Sequence, residues 1–492
     1  MTFSELDAAV SRLASALGGQ GFRQGDVVAV SLGNSVEYVL TIFALARAGL
    51  VAAHIPAQYT SGEADVLFST ARASGAIIDG RSLERTFVDA LPADRLVVTG
   101  GDESPTQGVP FERLLMEAGD ETARLPTVRP SDLFMVGFTS GTTGRPKGVL
   151  ISQSARALGA VTSAFLYGFR PAERHLAAAP LHHGAPLDFA LMAIASGGSL
   201  FPMSGFEAER CRARIESAQI HNMFVVPTIL NRLLDTDRST CEVQLRSVRT
   251  IVSNAAPLSM ELKEKCGQVA PWINLWEAYG STEAGWMTAL SPSDLLEERD
   301  SCGQPLPLVD IQVTGPDGVA VDDGQPGEVW VRSPFVFERY AHESTARDAD
   351  AWHRTGDLAT QSASGHLRLL GREDDLIITG GVNVHPQEIE DVTRRHPSVE
   401  DVAVIPYPDP DKGAVPMAVI VTDGSDVVEL EDELRTLWLG SLVAYKHPRR
   451  VVVVSDLPRT STGKVRRKAL RERMPDRPSS RRPDQAQDGN TP

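Results

Sequence analysis

The stretch from Phe138 to Ser152, which reads FTSGTTGRPKGVLIS, places small hydroxyl residues, glycines and one lysine between two apolar runs. Glycines let backbone N–H groups approach an anion, and hydroxyl groups add hydrogen-bond donors. Lys147 contributes a positive charge on a long stem. A surface linker is the alternative for a Gly-rich loop, but the density of donors favours phosphate. The pattern predicts a phosphate-binding turn formed by Thr139, Ser140, Gly141, Thr142, Thr143 and Gly144.

This turn departs from the common nucleotide-binding loop. The Walker pattern needs Gly, four residues and then Gly-Lys-Ser/Thr, but Pro146 stands five places after Gly141. The pair Gly463-Lys464 is followed by Val465 and also departs from that pattern. The segment instead resembles the phosphate loop of the adenylate-forming superfamily, which contains acyl-CoA synthetases, peptide-synthetase adenylation domains and luciferases.

A second candidate site reads WEAYGSTE, from Trp276 to Glu283. Mg²⁺ prefers oxygen ligands, usually one or two carboxylates together with nucleotide phosphates. A helix start capped by Ser281 is the structural alternative. The Tyr-Gly-x-Thr-Glu pattern resembles the family's second motif, which implies that Glu283 binds Mg²⁺ and that Tyr279 stacks on adenine. The resemblance also implies a catalytic role for Thr282 and nucleotide contacts from Asn254, Ala255, Ala256, Glu277, Ala278, Gly280 and Ser281.

The third candidate is Asp357, which follows Thr355-Gly356. One carboxylate can accept hydrogen bonds from both ribose hydroxyls. An isolated Gly-Asp turn more often faces solvent. The segment from Trp352 to Asp357 matches the family's pattern, which implies that Asp357 binds the ribose.

The fourth segment, GREDDLIITGGVNVHPQEIE, spans residues 371–390 and resembles the family's crossover between domains. The resemblance implies that Arg372 bonds to the ribose and that Asp374 is a hinge for rotation of the small domain. Gly380 and Gly381 would line the tunnel for the pantetheine arm of CoA, where a side chain would block the passage. A charged linker between domains is the alternative. Many relatives carry lysine where Ile378 stands here.

The fifth segment, PRTSTGKVRRKAL, runs from Pro458 to Leu470. Taken alone, such a basic stretch is usually a solvated surface. The family places an essential lysine in this loop, which implies that Lys464 offsets the charge that develops at the α-phosphate. The five motifs occur in the family's order, and the resemblance covers Thr2 to Met474.

The acid pocket is the least constrained part of the sequence. The resemblance implies that His183, Asp188, Asn254, Gly285 and Trp286 line it, and that His183 also has a catalytic role. Asn254 stands where relatives commonly have glycine. Trp286 would be a bulky wall that favours a compact or aromatic acid, although burial in an ordinary core is an equal alternative. His182 and His183 have no third ligand nearby in sequence, which disfavours zinc.

Composition limits the class of protein. The 492 residues suggest two or three domains, and the formal net charge of −16 argues against a general nucleic-acid binder. The four cysteines lie far apart and lack metal-ligand spacing, which predicts unpaired thiols in a reducing compartment. The sequence shows neither an apparent signal segment nor a run of about 18 apolar residues, so we expect a cytoplasmic protein that does not span a membrane.

The elements that must position these residues alternate between strand and helix. Val27 to Leu32, Ser35 to Ala48 and Leu50 to Ile55 form a βαβ pattern, which predicts a parallel sheet. Thr2 and Glu5 predict a capping box on a first helix that ends at Gly18-Gly19. We expect the alternation to continue past residue 280 and short antiparallel strands from Ile311 to Val331.

The predicted fold class is α/β. The N-terminal domain, residues 1–370, would combine doubly wound sheets with a small β-barrel-like subdomain and bind ATP and the acid. Residues 371–474 would form a small, mobile α+β domain, and residues 475–492, rich in Pro, Ser, Arg and Asp, a disordered tail.

The resemblance implies an acid–CoA ligase that uses ATP, Mg²⁺ and CoA, forms an acyl-adenylate and pyrophosphate, and then transfers the acyl group. The expected partners are a small acid and CoA or a carrier-protein thiol, with no nucleic acid or membrane, in a monomer or homodimer. Loading of a carrier protein, amide formation and activation of nitrite for diazotisation remain alternatives. A non-catalytic scaffold is disfavoured because Lys147, Glu283, Asp357 and Lys464 are all present.

Overall fold

The chain divides into two compact units, Met1–Leu369 and Leu370–Pro492. The computed structural model describes residues 1–82, 86–100, 107–117, 125–140, 146–348, 350–424, 427–459 and 465–474. The predicted tail at 475–492 lies outside the described residues. None of the described helices is long and apolar enough to cross a bilayer.

Helices and strands alternate through most of the first unit. The helices are α1 Phe3–Gly19, α2 Val36–Arg47, α3 Ser61–Ala71, α4 Thr86–Asp89, α5 Phe111–Glu117, α6 Gln153–Leu166, α7 Gly184–Ala195, α8 Ala208–Ala218, α9 Pro227–Leu233, α10 Arg238–Gln244, α11 Met260–Val269, α12 Pro386–Thr393, α13 Val427–Ser441 and α14 Arg467–Arg473. The strands are β1 Val27–Ser31, β2 Val51–His54, β3 Gly75–Asp79, β4 Leu96–Thr99, β5 Val109–Pro110, β6 Leu133–Ser140, β7 Pro146–Ser152, β8 Arg174–Ala177, β9 Ser199–Pro202, β10 Asn222–Val225, β11 Thr250–Ser253, β12 Asn274–Ser281, β13 Gly285–Leu290, β14 Gln304–Pro305, β15 Asp310–Thr314, β16 Gly327–Arg332, β17 Arg339–Tyr340, β18 His353–Gln361, β19 Leu367–Arg372, β20 Ile377–Thr379, β21 Val382–Val384, β22 Val399–Asp409, β23 Gly413–Thr422 and β24 Arg450–Val453.

Two large sheets form the body of the first unit. The eight-stranded sheet has the order β17-β7-β6-β2-β1-β3-β4-β5, and the seven-stranded sheet has the order β14-β13-β12-β11-β10-β8-β9. Strands β1, β2, β3 and β4 pair in parallel, as do β8, β10, β11 and β12. Parallel neighbours require crossovers, which the intervening helices provide. The predicted α/β architecture is confirmed.

The alternation ends earlier than the sequence suggested. Strand β12 turns back after Ser281 into β13, and β13 pairs antiparallel with β14. The expectation of further alternation past residue 280 is therefore wrong, because the three residues between β12 and β13 leave no room for a crossover helix.

Helix α1 begins and ends where the sequence predicts. Thr2 and Glu5 form the predicted capping box. The helix runs through Gly18 and Gly19, and the Gln20 N–H donates to the Ala16 carbonyl. The predicted end of the helix at Gly18-Gly19 is therefore confirmed.

A small antiparallel sheet follows in the first unit, with the order β15-β16-β18-β19. The second unit contains a five-stranded sheet with the order β21-β20-β23-β22, and β24 also pairs with β23. Trp438 of α13 is buried in its core, and the indole Nε1 donates to the hydroxyl of Thr393. The predicted small β region and α+β unit are confirmed.

Candidate active site

The phosphate-loop motif folds as an antiparallel hairpin of β6 and β7, in which Thr139 lies opposite Lys147. Strand β17 pairs with the other edge of β7 and places Tyr340 opposite Val149. The Lys147 ammonium lies 5.2 Å from the centre of the Tyr340 ring. Such a cation–π contact is compatible with further hydrogen bonds from the ammonium, so Lys147 is held at the mouth of the hairpin with donors available for an anion.

Glu283 joins the same cluster from the turn between β12 and β13. Its Oε1 accepts hydrogen bonds from the Thr139 hydroxyl, at 3.2 Å, and the Tyr340 hydroxyl, at 3.4 Å. The Glu283 carbonyl accepts from the Phe337 N–H at 2.7 Å. One carboxylate beside a hydroxyl and an ammonium suits an Mg²⁺ ion that is shared with phosphate oxygens. We call Thr139, Lys147, Glu283 and Tyr340 the phosphate cluster.

Thr282 approaches β6 at Gly137. A Cβ at Gly137 would lie 2.6 Å from the Thr282 Cγ2, closer than side chains tolerate. Gly137 therefore allows the β12–β13 turn to lie against the hairpin, and this brings Glu283 to Thr139. Gly137 directly precedes the predicted phosphate motif, which begins at Phe138.

Several predicted phosphate-site residues cannot be placed. Gly141, Thr142, Thr143, Gly144 and Lys464 lie outside the described residues. Ser140 forms the end of β6. Their roles stay predictions.

Tyr279 and Asp357 meet at the predicted nucleoside site. The Tyr279 hydroxyl donates to Asp357 Oδ2 at 2.6 Å. The Asp357 N–H donates to the hydroxyl of Thr355 at 3.1 Å, and Gly356 between them has a φ of 72°. Burial raises the pKa of Tyr279 well above its usual value, and the negative charge of Asp357 adds to the shift. The tyrosine therefore stays a donor and orients the carboxylate.

The turn after β11 completes this region. Ala255 has a φ of 79°, a conformation that side chains rarely adopt, and its N–H donates to the side chain of Asn254. Ala256 follows in the same turn. Left-handed backbone at a non-glycine residue is retained only where surrounding contacts fix it. Here the Glu277 side chain accepts a hydrogen bond from the Leu258 N–H at the end of the turn.

Glu277 is buried and anchors this turn. Its Oε1 accepts from the Leu258 N–H at 2.9 Å, and its Oε2 lies 2.7 Å from the Lys263 ammonium of α11. Lys263 also donates to the Arg299 carbonyl. Burial raises the pKa of Glu277, and Lys263 opposes that shift. The carboxylate is engaged within the protein, so Glu277 joins the end of this turn to α11.

The other members of the second motif shape a tight hairpin. Ala278 and Gly280 belong to β12, and a Cβ at Gly280 would lie 2.2 Å from the Gly285 carbonyl oxygen. Ser281 ends the strand, and its hydroxyl accepts from the Ala284 N–H at 3.0 Å. The structure thus shows a turn between strands, and the alternative of a helix capped by Ser281 is wrong.

Four of the five predicted acid-pocket residues lie on α7 and β13, and the fifth, Asn254, follows β11. His183 is the N-terminal cap residue of α7, Asp188 lies within α7, and Gly285 and Trp286 begin β13. Asp188 Oδ2 accepts from Arg156 Nη1 at 2.6 Å and from Trp286 Nε1 at 3.0 Å. Burial raises the pKa of Asp188 against the opposing effect of Arg156. Sequence reasoning missed Arg156, because a single arginine in a helix usually faces solvent.

Neutral histidines lie beside this pair. Burial lowers the pKa of His183 to about 4. Burial, together with the charges of Arg156 and His183, lowers the pKa of His54 to about 3. His54 Nδ1 lies 2.5 Å from the Tyr38 hydroxyl, which also contacts the Leu181 carbonyl. No sequence motif marks His54, which reaches this region only because β2 ends there.

The second unit carries the predicted hinge and CoA residues. Arg372 and Asp374 are exposed, and Asp374 lies in a 3-10 turn at Glu373–Asp375. Gly380 and Gly381 form the two-residue turn between β20 and β21, with φ values of 57° and 82°. A Cβ at Gly381 would meet nothing within 4 Å. Within this unit, the backbone conformation favours glycine there, as two-residue hairpins commonly do.

Comparison with models of protein families identifies the family of this chain. The model of the AMP-binding enzyme family matches residues 1–341, and the model of the C-terminal domain of AMP-binding enzymes matches residues 388–464. The chain belongs to the AMP-binding enzyme family. The predictions of an adenylate-forming enzyme and of an AMP-forming acid–thiol ligase are thereby confirmed.

Similar curated proteins differ in the acid that they are named for. An indoleacetate–CoA ligase of Aromatoleum aromaticum is 32% identical, with 96% of this chain and 93% of the relative covered. A feruloyl-CoA synthase of an Amycolatopsis species is 32% identical, with coverages of 96% and 94%. A long-chain-fatty-acid–CoA ligase of Mycobacterium tuberculosis is 31% identical, with coverages of 96% and 93%.

Solved structures show the same fold. The o-succinylbenzoate CoA synthetase of Bacillus subtilis, in complex with its acyl-adenylate intermediate, is 28% identical with a TM-score of 0.82, and 96% of this chain and 93% of that chain are covered. An amide bond synthetase of Marinactinospora thermotolerans is 27% identical with a TM-score of 0.84, and the coverages are 96% and 94%. Enzymes with different acceptors therefore share this architecture.

The buried ion pair behind the nucleoside site can be tested by stability. Lys263→Met leaves the Glu277 carboxylate buried without its cation, so we expect a loss of about 3–5 kcal/mol in the free energy of unfolding at pH 7. Chemical denaturation measures the change. The double variant Lys263→Met/Glu277→Gln, which keeps an oxygen acceptor for the Leu258 N–H, should recover most of it, and Lys265→Met, on the same helix, should cost less than about 1 kcal/mol. An unchanged stability in Lys263→Met would contradict the assignment.

The buried histidines predict a pH dependence. The pKa of His54 is lowered to about 3 in the folded state. As the pH falls below about 6.5, His54 therefore becomes protonated in the unfolded chain but stays neutral in the folded chain. Stability is therefore full above that pH and falls by about 2 kcal/mol per such histidine at pH 5. Calorimetry between pH 7 and pH 5 should show a smaller fall in the unfolding temperature for His54→Gln. The exposed His342→Gln is the control, and equal slopes for all three proteins would refute the prediction.

Proposed function

We propose that the protein is an ATP-dependent ligase that joins a compact or aromatic carboxylic acid to CoA. The phosphate cluster carries this proposal, because it brings a carboxylate, an ammonium and two hydroxyl groups from three distant segments to one point. The nucleoside pair Tyr279 and Asp357 supports the same assignment to ATP. Relatives named as CoA ligases for aromatic acids support the choice of acid and acceptor.

Different residues would bind the phosphates, the ribose and the adenine of ATP. Lys147 and the hydroxyl groups of the hairpin would hold the β- and γ-phosphates, and Asp357 would accept from the ribose hydroxyls with help from Arg372. Tyr279 would stack on adenine, with Ala278, Gly280, Ser281 and the turn at 254–256 around it. Glu283 would hold Mg²⁺, which neutralises phosphate charge when it is bound.

The reaction has two steps. The substrate carboxylate attacks the α-phosphorus, the bond from that phosphorus to the bridging oxygen breaks, and pyrophosphate leaves with the bonding electrons. Lys464 would offset the negative charge on the α-phosphate in this step, with Thr282 and His183 beside the reacting groups. The CoA thiolate then attacks the acyl carbonyl, and AMP leaves. Asp374 would be the hinge between the steps, and Gly380 and Gly381 would line the pantetheine path.

Three further expectations come from the sequence alone. Lys464 and most of the phosphate turn lie outside the described residues, and the cytoplasmic location stays a prediction. A monomer or homodimer also stays a prediction. None of the three is needed for the assignment of the phosphate cluster.

Amide formation is the second candidate function, because the structure of an amide bond synthetase is among those that match this chain. It shares the first step and replaces the thiol with an amine in the second. Loading of a carrier protein differs from the proposed reaction in the acceptor, and activation of nitrite differs from it in the oxyacid. Assays must therefore separate adenylation from transfer.

The role of Lys464 is tested by pyrophosphate exchange. We expect Lys464→Ala to lose about 100-fold or more in exchange, because the charge at the α-phosphate is no longer offset, while ATP binding is retained. Formation of the thioester from added acyl-adenylate should be much less affected. Lys468→Ala, an exposed lysine in α14, is the control. Wild-type exchange in the Lys464 variant would refute its assigned role.

The acid and the acceptor are tested together. A panel of benzoate, phenylacetate, indoleacetate, cinnamate, hexanoate and decanoate is assayed for AMP release with and without CoA. We expect aromatic acids to give the highest kcat/KM and CoA to be required for rapid turnover. Preference for decanoate would contradict the choice of acid, whereas faster AMP release with an added amine, a carrier protein, or nitrite with an aryl amine would favour an alternative acceptor or oxyacid.

A further inference from the structure

Two opposite charges belong to the phosphate cluster and do not pair with each other. The Lys147 ammonium lies 5.2 Å from the centre of the Tyr340 ring. Glu283 Oε1 accepts hydrogen bonds from the hydroxyl groups of Thr139, at 3.2 Å, and Tyr340, at 3.4 Å. Within the part of the chain that the structure describes, Lys147 and Glu283 form no ion pair with each other. The contacts described for both charges are therefore with neutral groups.

Tyr340 contacts the cation and the anion with different parts of one side chain. The face of an aromatic ring carries partial negative charge and attracts an ammonium group. The phenolic hydroxyl donates a hydrogen bond to a carboxylate. The ring of Tyr340 accordingly contacts Lys147, and its hydroxyl contacts Glu283. Neither contact neutralises the charge that it holds.

The position of Tyr340 is fixed by backbone pairing and by neighbouring rings. Strand β17 pairs with β7 and places Tyr340 opposite Val149. The ring lies 4.8 Å from the Phe337 ring and is stacked on His342 at 5.7 Å. The Phe337 N–H also donates to the Glu283 carbonyl at 2.7 Å. The location of the Tyr340 ring therefore does not depend on either charge.

An ion pair between Lys147 and Glu283 would interfere with ligand binding. Both side chains are half-buried, and opposite charges attract more strongly at such a place than in bulk water. The lysine stem is long and flexible, so the ammonium can reach more than one partner. A pair would neutralise the ammonium that phosphate needs and the carboxylate that Mg²⁺ needs, and ligands would have to break it first.

We propose that Tyr340 is a positioning residue that keeps Lys147 and Glu283 from forming an ion pair. The ammonium then remains available for a nucleotide phosphate, and the carboxylate remains available for Mg²⁺. This inference rests on the proposed function. Tyr340 acts through the two charged residues, so its removal changes the coupling between them.

The test measures ATP binding by titration calorimetry in EDTA, where Glu283 has no metal ion as a partner. Tyr340→Leu removes the ring and the hydroxyl, and it should raise the Kd for ATP by about 3- to 10-fold because Lys147 must leave Glu283 to bind phosphate. Tyr340→Phe keeps the ring and should stay within about twofold of wild type. Phe201→Leu removes the ring beneath Arg214 in the same unit and is the matched control, with an unchanged Kd.

The carboxylate variant separates this role from a general loss of structure. Glu283→Gln should strengthen metal-free ATP binding in the wild type, because it removes a charge that repels phosphate. In the Tyr340→Leu background the gain should be about 3- to 10-fold larger, because the substitution also releases Lys147. A purely structural role of Tyr340 would give the same gain in both backgrounds, and that result would overturn the proposal.

A second measurement needs no substitution of Tyr340. If Lys147 and Glu283 are kept apart, the effects of Lys147→Met and Glu283→Gln on the free energy of unfolding should add in the double variant. A clear departure from additivity would show that the two charges already pair, and it would overturn the proposal. If Tyr340→Leu does not fold, Tyr340→Met, which also lacks the ring and the hydroxyl, replaces it in the binding test.

The outcomes distinguish this proposal from the proposed function. If the wild-type protein binds ATP neither in EDTA nor with Mg²⁺, the proposed function fails. If the wild type binds ATP and Glu283→Gln has equal effects in both backgrounds, only the role of Tyr340 is refuted.

Discussion

The negative charge of a bound triphosphate has to be balanced by cations placed at the site, because the protein itself carries a formal net charge of −16. In the proposed function, the β6–β7 hairpin meets this requirement through Lys147, which lies opposite Thr139 and beside the Tyr340 ring. The arrangement depends on strand pairing on both sides of β7. It also depends on Gly137, which leaves room for Thr282 and so admits Glu283 to the cluster.

The nucleoside side of the site is stabilised by a different interaction. Ala255 adopts a backbone conformation that is unfavourable for alanine, and Glu277 holds the end of that turn through the Leu258 N–H. Lys263 balances the charge of Glu277 within the core. The strain at the surface of the site is therefore supported by a buried ion pair behind it, and the turn and β12 are fixed relative to each other before any ligand binds.

Residues in contiguous motifs could be predicted from the sequence, and residues that depend on long-range pairing could not. Thr139, Lys147, Tyr279, Glu283 and Asp357 stand in short patterns, and the structure brings the first, second and fourth of them together. Tyr340 reaches the phosphate cluster only because β17 pairs with β7, across nearly two hundred residues of chain. Arg156, His54 and Lys263 look like ordinary helix or strand residues, and their importance comes from burial. The parallel sheets were predictable from apolar runs, whereas the β12–β13 hairpin depended on a three-residue turn that periodicity does not reveal.

The acid pocket shows why fold and motif leave the substrate open. Enzymes of one architecture bear names for indoleacetate, ferulate and long-chain fatty acids, so the shared residues cannot select among them. Selection has to come from side chains that differ at the end of the pocket, and an apolar wall alone discriminates weakly because its rings can shift. Trp286, which the sequence predicts at this pocket, donates a hydrogen bond to Asp188, and Arg156 donates to the same carboxylate oxygen. The buried pair of Arg156 and Asp188 adds little net stability, because removing both charges from water costs about as much as their attraction returns.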